Sequence, residues 1–163
     1  MRRNVSVAAG IAAVAATAFL AASCGSDTTA PTSKQYVANL IAANEVPPKT
    51  TAGTGVATFV DLGNEIDWTL TLTNMTGVIA SHVHVGAVGT APAANIIENL
   101  FIPNVATGTV NGLVAHGSIT NANNANVSLD SLRVLFKNGN AYVNVHTTAN
   151  TSGEIRDQVH PVQ

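Results

Sequence analysis

Strict alternation of apolar residues with threonine is the sequence feature that most constrains the fold. In the segment IDWTLTLTN, residues 66–74, Trp68, Leu70 and Leu72 are separated from one another by single threonines. A period of two residues places alternate side chains on opposite faces of a β-strand, so this segment is predicted to be a strand with one buried face. Residues 56–62 form a similar segment, and the Gly-Asn turn between the two predicts a β-hairpin.

Further short segments repeat this pattern, and one segment differs from it. Ser128 can cap a helix, the apolar residues after it recur mostly at helical spacing, and Gly139 can end it, so a short helix is predicted near residues 129–138. Many short strands with one helix indicate a mainly β fold, either an antiparallel β-sandwich or a Greek-key barrel. The remaining predicted strands are residues 36–43, 78–85, 113–120, 141–147 and 154–159.

The N-terminus predicts export rather than folded structure. Arg2 and Arg3 precede a charge-free, alanine-rich segment from Val5 to Ala22, which is the pattern of a secretory signal. The segment leads into Cys24, the only cysteine, through the sequence LAASC, which resembles the bacterial lipobox. That resemblance implies a signal peptide at residues 1–23 and a lipid on the Cys24 thiol. The alternatives are a cleaved signal without lipid and an uncleaved anchor helix of about 18 residues.

The rest of the chain has the size and charge of one acidic domain. Residues 24–34 are small and polar and are predicted to be a flexible tether, which leaves residues 35–160 as a single domain. Without Arg2 and Arg3, five of the seven basic residues remain against nine acidic ones. No basic patch therefore points to nucleic acid as a partner. We expect an exported protein of the cell envelope, a periplasmic or outer-surface lipoprotein held to the membrane by a lipid anchor on Cys24.

Three segments of this domain are ANEVPP at 43–48, SHVHVGAVG at 81–89 and GNAYVNVHTTANTSGEIRDQV at 139–159. Their sequences, order and spacing resemble those of the CHRD family, which is named after chordin. The resemblance implies a secreted module without agreed catalytic residues, so we expect a non-catalytic binding or structural module of unknown ligand rather than an enzyme. The chain departs from the usual family forms at Ser81, Val83, Thr151 and Asp157.

The two histidines of SHVHV are the candidate binding residues. Residues two apart on a strand point to the same face and lie about 6.6–6.8 Å apart, so His82 and His84 project together. The alternation in AYVNVHT likewise places His146 on one face with Asn144. If the two strands are neighbours, three imidazoles could bind one copper or zinc ion and leave a fourth position to water or substrate. The residues expected to support or bind the ligand there are Asn144, Glu154 and Arg156.

A structural role for these histidines is the competing interpretation. Hydrogen bonds from the imidazoles to backbone groups or to carboxylates, such as those of Glu154 or Asp157, would give the same sequence pattern. In the metal interpretation, the order H-V-H, V-H and G-E-I-R resembles the exported Cu,Zn superoxide dismutases, which implies a dismutase-like oxidoreductase as a further alternative. This chain lacks the histidine-rich zinc loop and the cysteine pair of that family. His116 and His160 are not expected to be ligands.

Overall fold

The computed structural model describes residues 34–91, 95–101, 108–124 and 126–163. The predicted signal peptide, the predicted lipidation site Cys24 and the tether up to residue 33 lie outside the described residues. Lys34, the last residue of the predicted tether, is the first residue of a strand. Within the described ranges, no helix has the length and apolar character needed to cross a membrane.

The described elements are mostly strands, with one α-helix and a short 3-10 turn at Ala42–Asn44. In chain order they are β1 (Lys34–Leu40), β2 (Thr54–Asp61), β3 (Ile66–Thr76), β4 (Val78–Val85), β5 (Ile96–Phe101), β6 (Thr109–Ile119), α1 (Leu129–Lys137), β7 (Ala141–Thr147), β8 (Ile155–Gln158) and β9 (His160–Pro161).

The strands form two antiparallel sheets. The first has the order β6-β3-β2-β1-β9 and the second the order β5-β4-β7-β8. Among the described residues each sheet ends in edge strands, so the architecture is a β-sandwich and not the barrel that was the alternative prediction. The backbones of Ile41 and Arg156 exchange hydrogen bonds of 3.2 and 3.1 Å and so link the end of β1 to β8, at one side of the sandwich.

The core lies between the two sheets and is built from the alternating apolar residues. Trp68, Leu70 and Leu72 of β3 are buried, as the period of two predicts. From the second sheet, Val83 of β4 and Val143 of β7 are also fully buried and belong to the same hydrophobic cluster. Because β4 and β7 turn their valines inward, the other face of the second sheet carries their polar residues.

The predicted helix is confirmed as α1. The Ser128 hydroxyl accepts a hydrogen bond of 3.2 Å from the Ser131 backbone N–H, which satisfies one of the free donors at the helix start. The buried face of the helix includes Phe136, whose ring centroid lies 4.8 Å from that of Phe59 in β2. The chain leaves the helix through Gly139, whose φ of 65° favours glycine.

Two described strands were not predicted, β5 and β9. In β5, Ile97 and Leu100 are both buried although they are three residues apart, and the pairing with β4 shifts register twice. These irregularities break the alternation by which a strand is recognised in sequence. β9 has two residues, too few for any period to appear.

An ion pair between α1 and β2 gives the fold a pH dependence. The Arg133 guanidinium donates to both carboxylate oxygens of Asp61, at 2.8 and 2.9 Å, and this contact lowers the pKa of Asp61 although burial opposes it. Stabilisation by Asp61 is therefore present above the unfolded pKa of about 3.9 and is lost as the pH falls below it.

We expect Asp61→Asn to lower the free energy of unfolding at neutral pH by about 1–3 kcal/mol. Urea titrations of both proteins should show this difference shrinking below about pH 4, where the wild-type carboxylate is progressively protonated. A difference that did not change with pH would mean that the ion pair does not contribute in this way.

Candidate functional site

We call the outward face of the second sheet the histidine face. It carries His146 of β7 and two rows of mainly polar side chains. Residues paired across antiparallel strands lie side by side, so the register determines which side chains are neighbours. The first row, from β5 to β8, is Asn99, His82, Asn144 and Arg156, and the second, from β4 to β8, is His84, Tyr142 and Gln158.

The structure brings the three candidate histidines together on this face. One ring nitrogen from each of His82, His84 and His146 lies within 4.8 Å of the others. The closest pair is His82 Nδ1 and His146 Nε2, at 3.0 Å. His84 is buried, and the other two histidines are partly buried. The cluster therefore lies at the surface of the sheet but largely out of bulk water.

A backbone carbonyl determines how the ring of His146 is oriented. Its Nδ1 lies 2.9 Å from the carbonyl oxygen of Thr151, which can only accept, so Nδ1 carries the proton in the neutral ring. Nε2 of His146 is then the acceptor, and His82 donates to it from Nδ1. Metal-binding histidines typically donate their second ring N–H to a carbonyl or carboxylate in this way.

Burial keeps the imidazoles of His82 and His146 in their neutral form. It lowers the pKa of His82 to about 4, and repulsion from the charged forms of His146 and His84 adds to the effect. Burial also lowers the pKa of His146, although the hydrogen bond to Thr151 opposes it. At neutral pH both rings are uncharged, which is the form that binds a metal ion.

The distances allow one ion to contact all three rings after a small adjustment. Metal–nitrogen bonds of 2.0–2.1 Å imply ligand separations of about 3.3 Å in a tetrahedral site. The His82–His146 pair, at 3.0 Å, is already near that value, whereas the set as a whole extends to 4.8 Å. Three imidazole nitrogens form a donor set suited to copper or zinc.

The two carboxylates of the structural interpretation have other partners. Glu154 accepts hydrogen bonds from the Thr147 hydroxyl and from the Asn150 side chain, the latter at 3.1 Å. Burial raises the pKa of Glu154, but these bonds and one from Thr51 outweigh it and lower the pKa overall. The Asp157 side chain accepts from the Asn39 backbone N–H at 2.8 Å and from Asn44 at 2.9 Å. Among the described residues, neither carboxylate forms an ion pair with a histidine of the cluster.

Arg156 supports the histidine face from β8. Its side chain is almost fully buried, and Nη1 donates to the Thr90 carbonyl at 2.8 Å. The guanidinium carbon lies 3.5 Å from the ring centroid of Tyr142, and the Tyr142 ring stacks on His84 with centroids 4.9 Å apart and planes 10° apart. Tyr142 therefore contacts both Arg156 and His84.

Tyr142 and the loop that follows β4 are parts of the site to which the sequence analysis assigned no role. The alternation in AYVNVHT places Tyr142 on the same face as Asn144 and His146, so the face on which it lies could be predicted from the sequence. Its stacking on His84 could not be predicted, because it depends on the register between β4 and β7. Thr90, whose carbonyl accepts a hydrogen bond from Arg156, lies in a glycine-rich loop. The sequence of this loop has no periodic pattern of apolar residues from which the contact could be predicted.

Asn144 occupies the centre of the first row. Its side chain is fully buried, and neither its amide nitrogen nor its amide oxygen has a hydrogen-bond partner in the described part of the chain. His82 is its neighbour on β4 and Arg156 its neighbour on β8.

The two histidines not expected to be ligands, His116 and His160, are exposed and are not members of the cluster.

Comparison with known proteins identifies one family. A family model described as the CHRD domain matches residues 36–159, which includes every residue of the histidine face. The resemblance inferred from the three sequence segments is thereby confirmed. No curated protein and no solved structure matches the chain.

Proposed function

The chain belongs to the CHRD domain family, and from this premise we propose that it is an envelope-anchored, non-catalytic module that binds a copper or zinc ion. Family membership supports a binding or structural module in general. The observation that carries the metal proposal is the convergence of His82, His84 and His146 within 4.8 Å.

The chemistry of the cluster favours a metal over a purely structural role. His146 gives one ring nitrogen to the backbone carbonyl of Thr151, as a structural histidine does, but its other ring nitrogen faces that of His82. Two neutral imidazoles can share only one proton between facing nitrogens, whereas a metal ion accepts the lone pairs of both. The Thr151 carbonyl holds the proton of His146 on Nδ1, so its Nε2 keeps the lone pair that a metal ion would bind in place of the hydrogen bond from His82.

Turnover is not part of this proposal. The likeness to Cu,Zn superoxide dismutases rests on short sequence patterns, and the sequence lacks the zinc loop and the cysteine pair of those enzymes. The three-histidine cluster supports binding of one ion, which is sufficient for a module that stores, buffers or is stabilised by the metal.

The metal proposal is tested with full-length protein purified from the cell envelope without a histidine tag. We expect copper or zinc to copurify, and the apo protein to melt at a higher temperature after either metal is added. An ion that binds only the native state stabilises it by about 2.7 kcal/mol at a hundredfold excess over its dissociation constant. Identical melting of apo and metal-treated protein at neutral pH would exclude the site.

The anchoring proposal rests on the signal-like N-terminus and Cys24, and it has its own test. Cells grown with labelled palmitate should incorporate the label into the wild-type protein and not into Cys24→Ala. The variant should also leave the membrane fraction if the lipid is the only anchor. Label that persists in Cys24→Ala, or a wild type without label, would refute lipidation and leave the metal proposal untouched.

A further inference from the structure

We propose that the metal ion takes a small inorganic anion, of which hydroxide is the simplest, as an exogenous fourth ligand, and that the Asn144 amide holds this anion by hydrogen bonding. The inference rests on the metal site proposed above and identifies what completes it. It assigns Asn144 as a binding residue whose partner is supplied from outside the chain.

The first support is the state of the Asn144 side chain. It is fully buried, and within the described residues neither its donor nor its acceptor has a partner. Buried polar side chains nearly always have hydrogen-bond partners, because otherwise their desolvation is not compensated. An apolar residue would fill a purely structural position better, so the orphaned amide points to a ligand.

The second support is the position of Asn144 beside the histidines. It is the cross-strand neighbour of His82, and such pairs have Cβ atoms about 4.5–5.5 Å apart. It is also two residues from His146 on β7, so both side chains project from the same face. Three protein ligands leave a four-coordinate metal with one open position. Asn144 is thus placed beside the cluster where a ligand in that position can be reached.

The third support is the charge around this position, which favours an anion. On the side of Asn144 away from His82 lies the buried Arg156, whose hydrogen bonds go to the oxygens of Thr90, Ala87 and Gln158. Glu154 and Asp157 are occupied by other donors.

The test uses azide as the probe and the Cu(II)-loaded protein as the receptor. Metal loading of each protein is measured first, and azide is then titrated while the azide-to-copper charge-transfer absorption is followed. We expect wild-type protein to bind azide and Asn144→Leu to bind it about tenfold more weakly or worse, the effect of losing a hydrogen bond to a charged group. The matched control is Asn99→Leu, which alters the exposed neighbour of His82 on β5 and should bind azide as wild type does.

The outcomes separate this inference from the metal proposal. A wild type that does not load copper or zinc overturns both. Copper-loaded Asn144→Leu with wild-type azide affinity overturns the role of Asn144 alone. A second measurement needs no variant: in Zn(II)-loaded, ¹⁵N-labelled wild type, the Asn144 side-chain amide resonances should shift as azide saturates the site. Resonances that stay in place at saturation would also overturn the inference.

Discussion

Trp68→Ala is expected to lower the free energy of unfolding by about 3–5 kcal/mol, the range for removing a large buried aromatic side chain. Trp68 is 7% exposed and lies on the inward face of β3, paired with Phe59 on β2 and Gly117 on β6. A Cβ at Gly117 would lie 2.8 Å from the Trp68 ring, so the glycine leaves the space that the ring occupies. Neighbours packed this closely cannot collapse fully into the cavity left by alanine.

Such a loss is a large share of the total stability of a domain of this size, which is about 5–15 kcal/mol. Equilibrium urea titration measures it, with Thr71→Ala on the outward face of the same strand as the control. That control should change stability by under about 1 kcal/mol. A similarly small effect of Trp68→Ala would show that the inward face of β3 has been assigned wrongly.

Alanine at His82, His84 or His146 is expected to weaken Cu(II) binding about 100-fold or more, because losing even a supporting partner of a metal ligand costs 10–100-fold. Two remaining imidazoles cannot hold an ion as three do, and nearby groups such as Glu154 are already hydrogen-bonded. Competition with a chelator of known affinity measures the change. His116→Ala and His160→Ala are the matched controls, since both residues are exposed and outside the cluster.

The pH dependence of the same titration provides a second check. Protons compete with the metal for the imidazoles, so the affinity for Cu(II) falls as the pH falls. From sequence alone the fall is expected near about 6.5, the ordinary histidine pKa. Burial lowers the pKa of His82 to about 4, so competition at this ring is expected at more acidic pH. Binding by the triple alanine variant equal to wild type would contradict the site altogether.

The sequence was sufficient to predict those elements whose structure is determined by a local pattern of residues. The period of two in β3 correctly predicted its buried face, and Ser128 with the apolar spacing after it predicted α1. The bulged pairing of β5 with β4 removed the same signal, so that strand was missed. A sandwich and a barrel share this local pattern, and only the long-range pairing distinguishes them.

In the candidate site too, local patterns could be predicted from the sequence, whereas contacts that depend on long-range packing could not. Alternation alone placed His82 and His84 on one face, and the meeting with His146 required β4 and β7 to be neighbours, which the structure shows. Glu154 was expected to support or bind the ligand, and which donors its carboxylate bonds, Thr147 and Asn150, could be seen only in the structure. Hydrogen-bond satisfaction is a property of the packed molecule, so it could not be predicted from residue types that the Asn144 amide has no partner among the described residues.

The contact between His146 and the carbonyl of Thr151 bears on how freely this region can vary during evolution. The orienting group belongs to the main chain, so any side chain compatible with the turn can occupy position 151. Insertion or deletion of one residue between Thr147 and Gly153 is a different matter, because it would move the carbonyl away from the imidazole. We therefore expect natural selection to preserve the length of this turn more strictly than the identity of its residues.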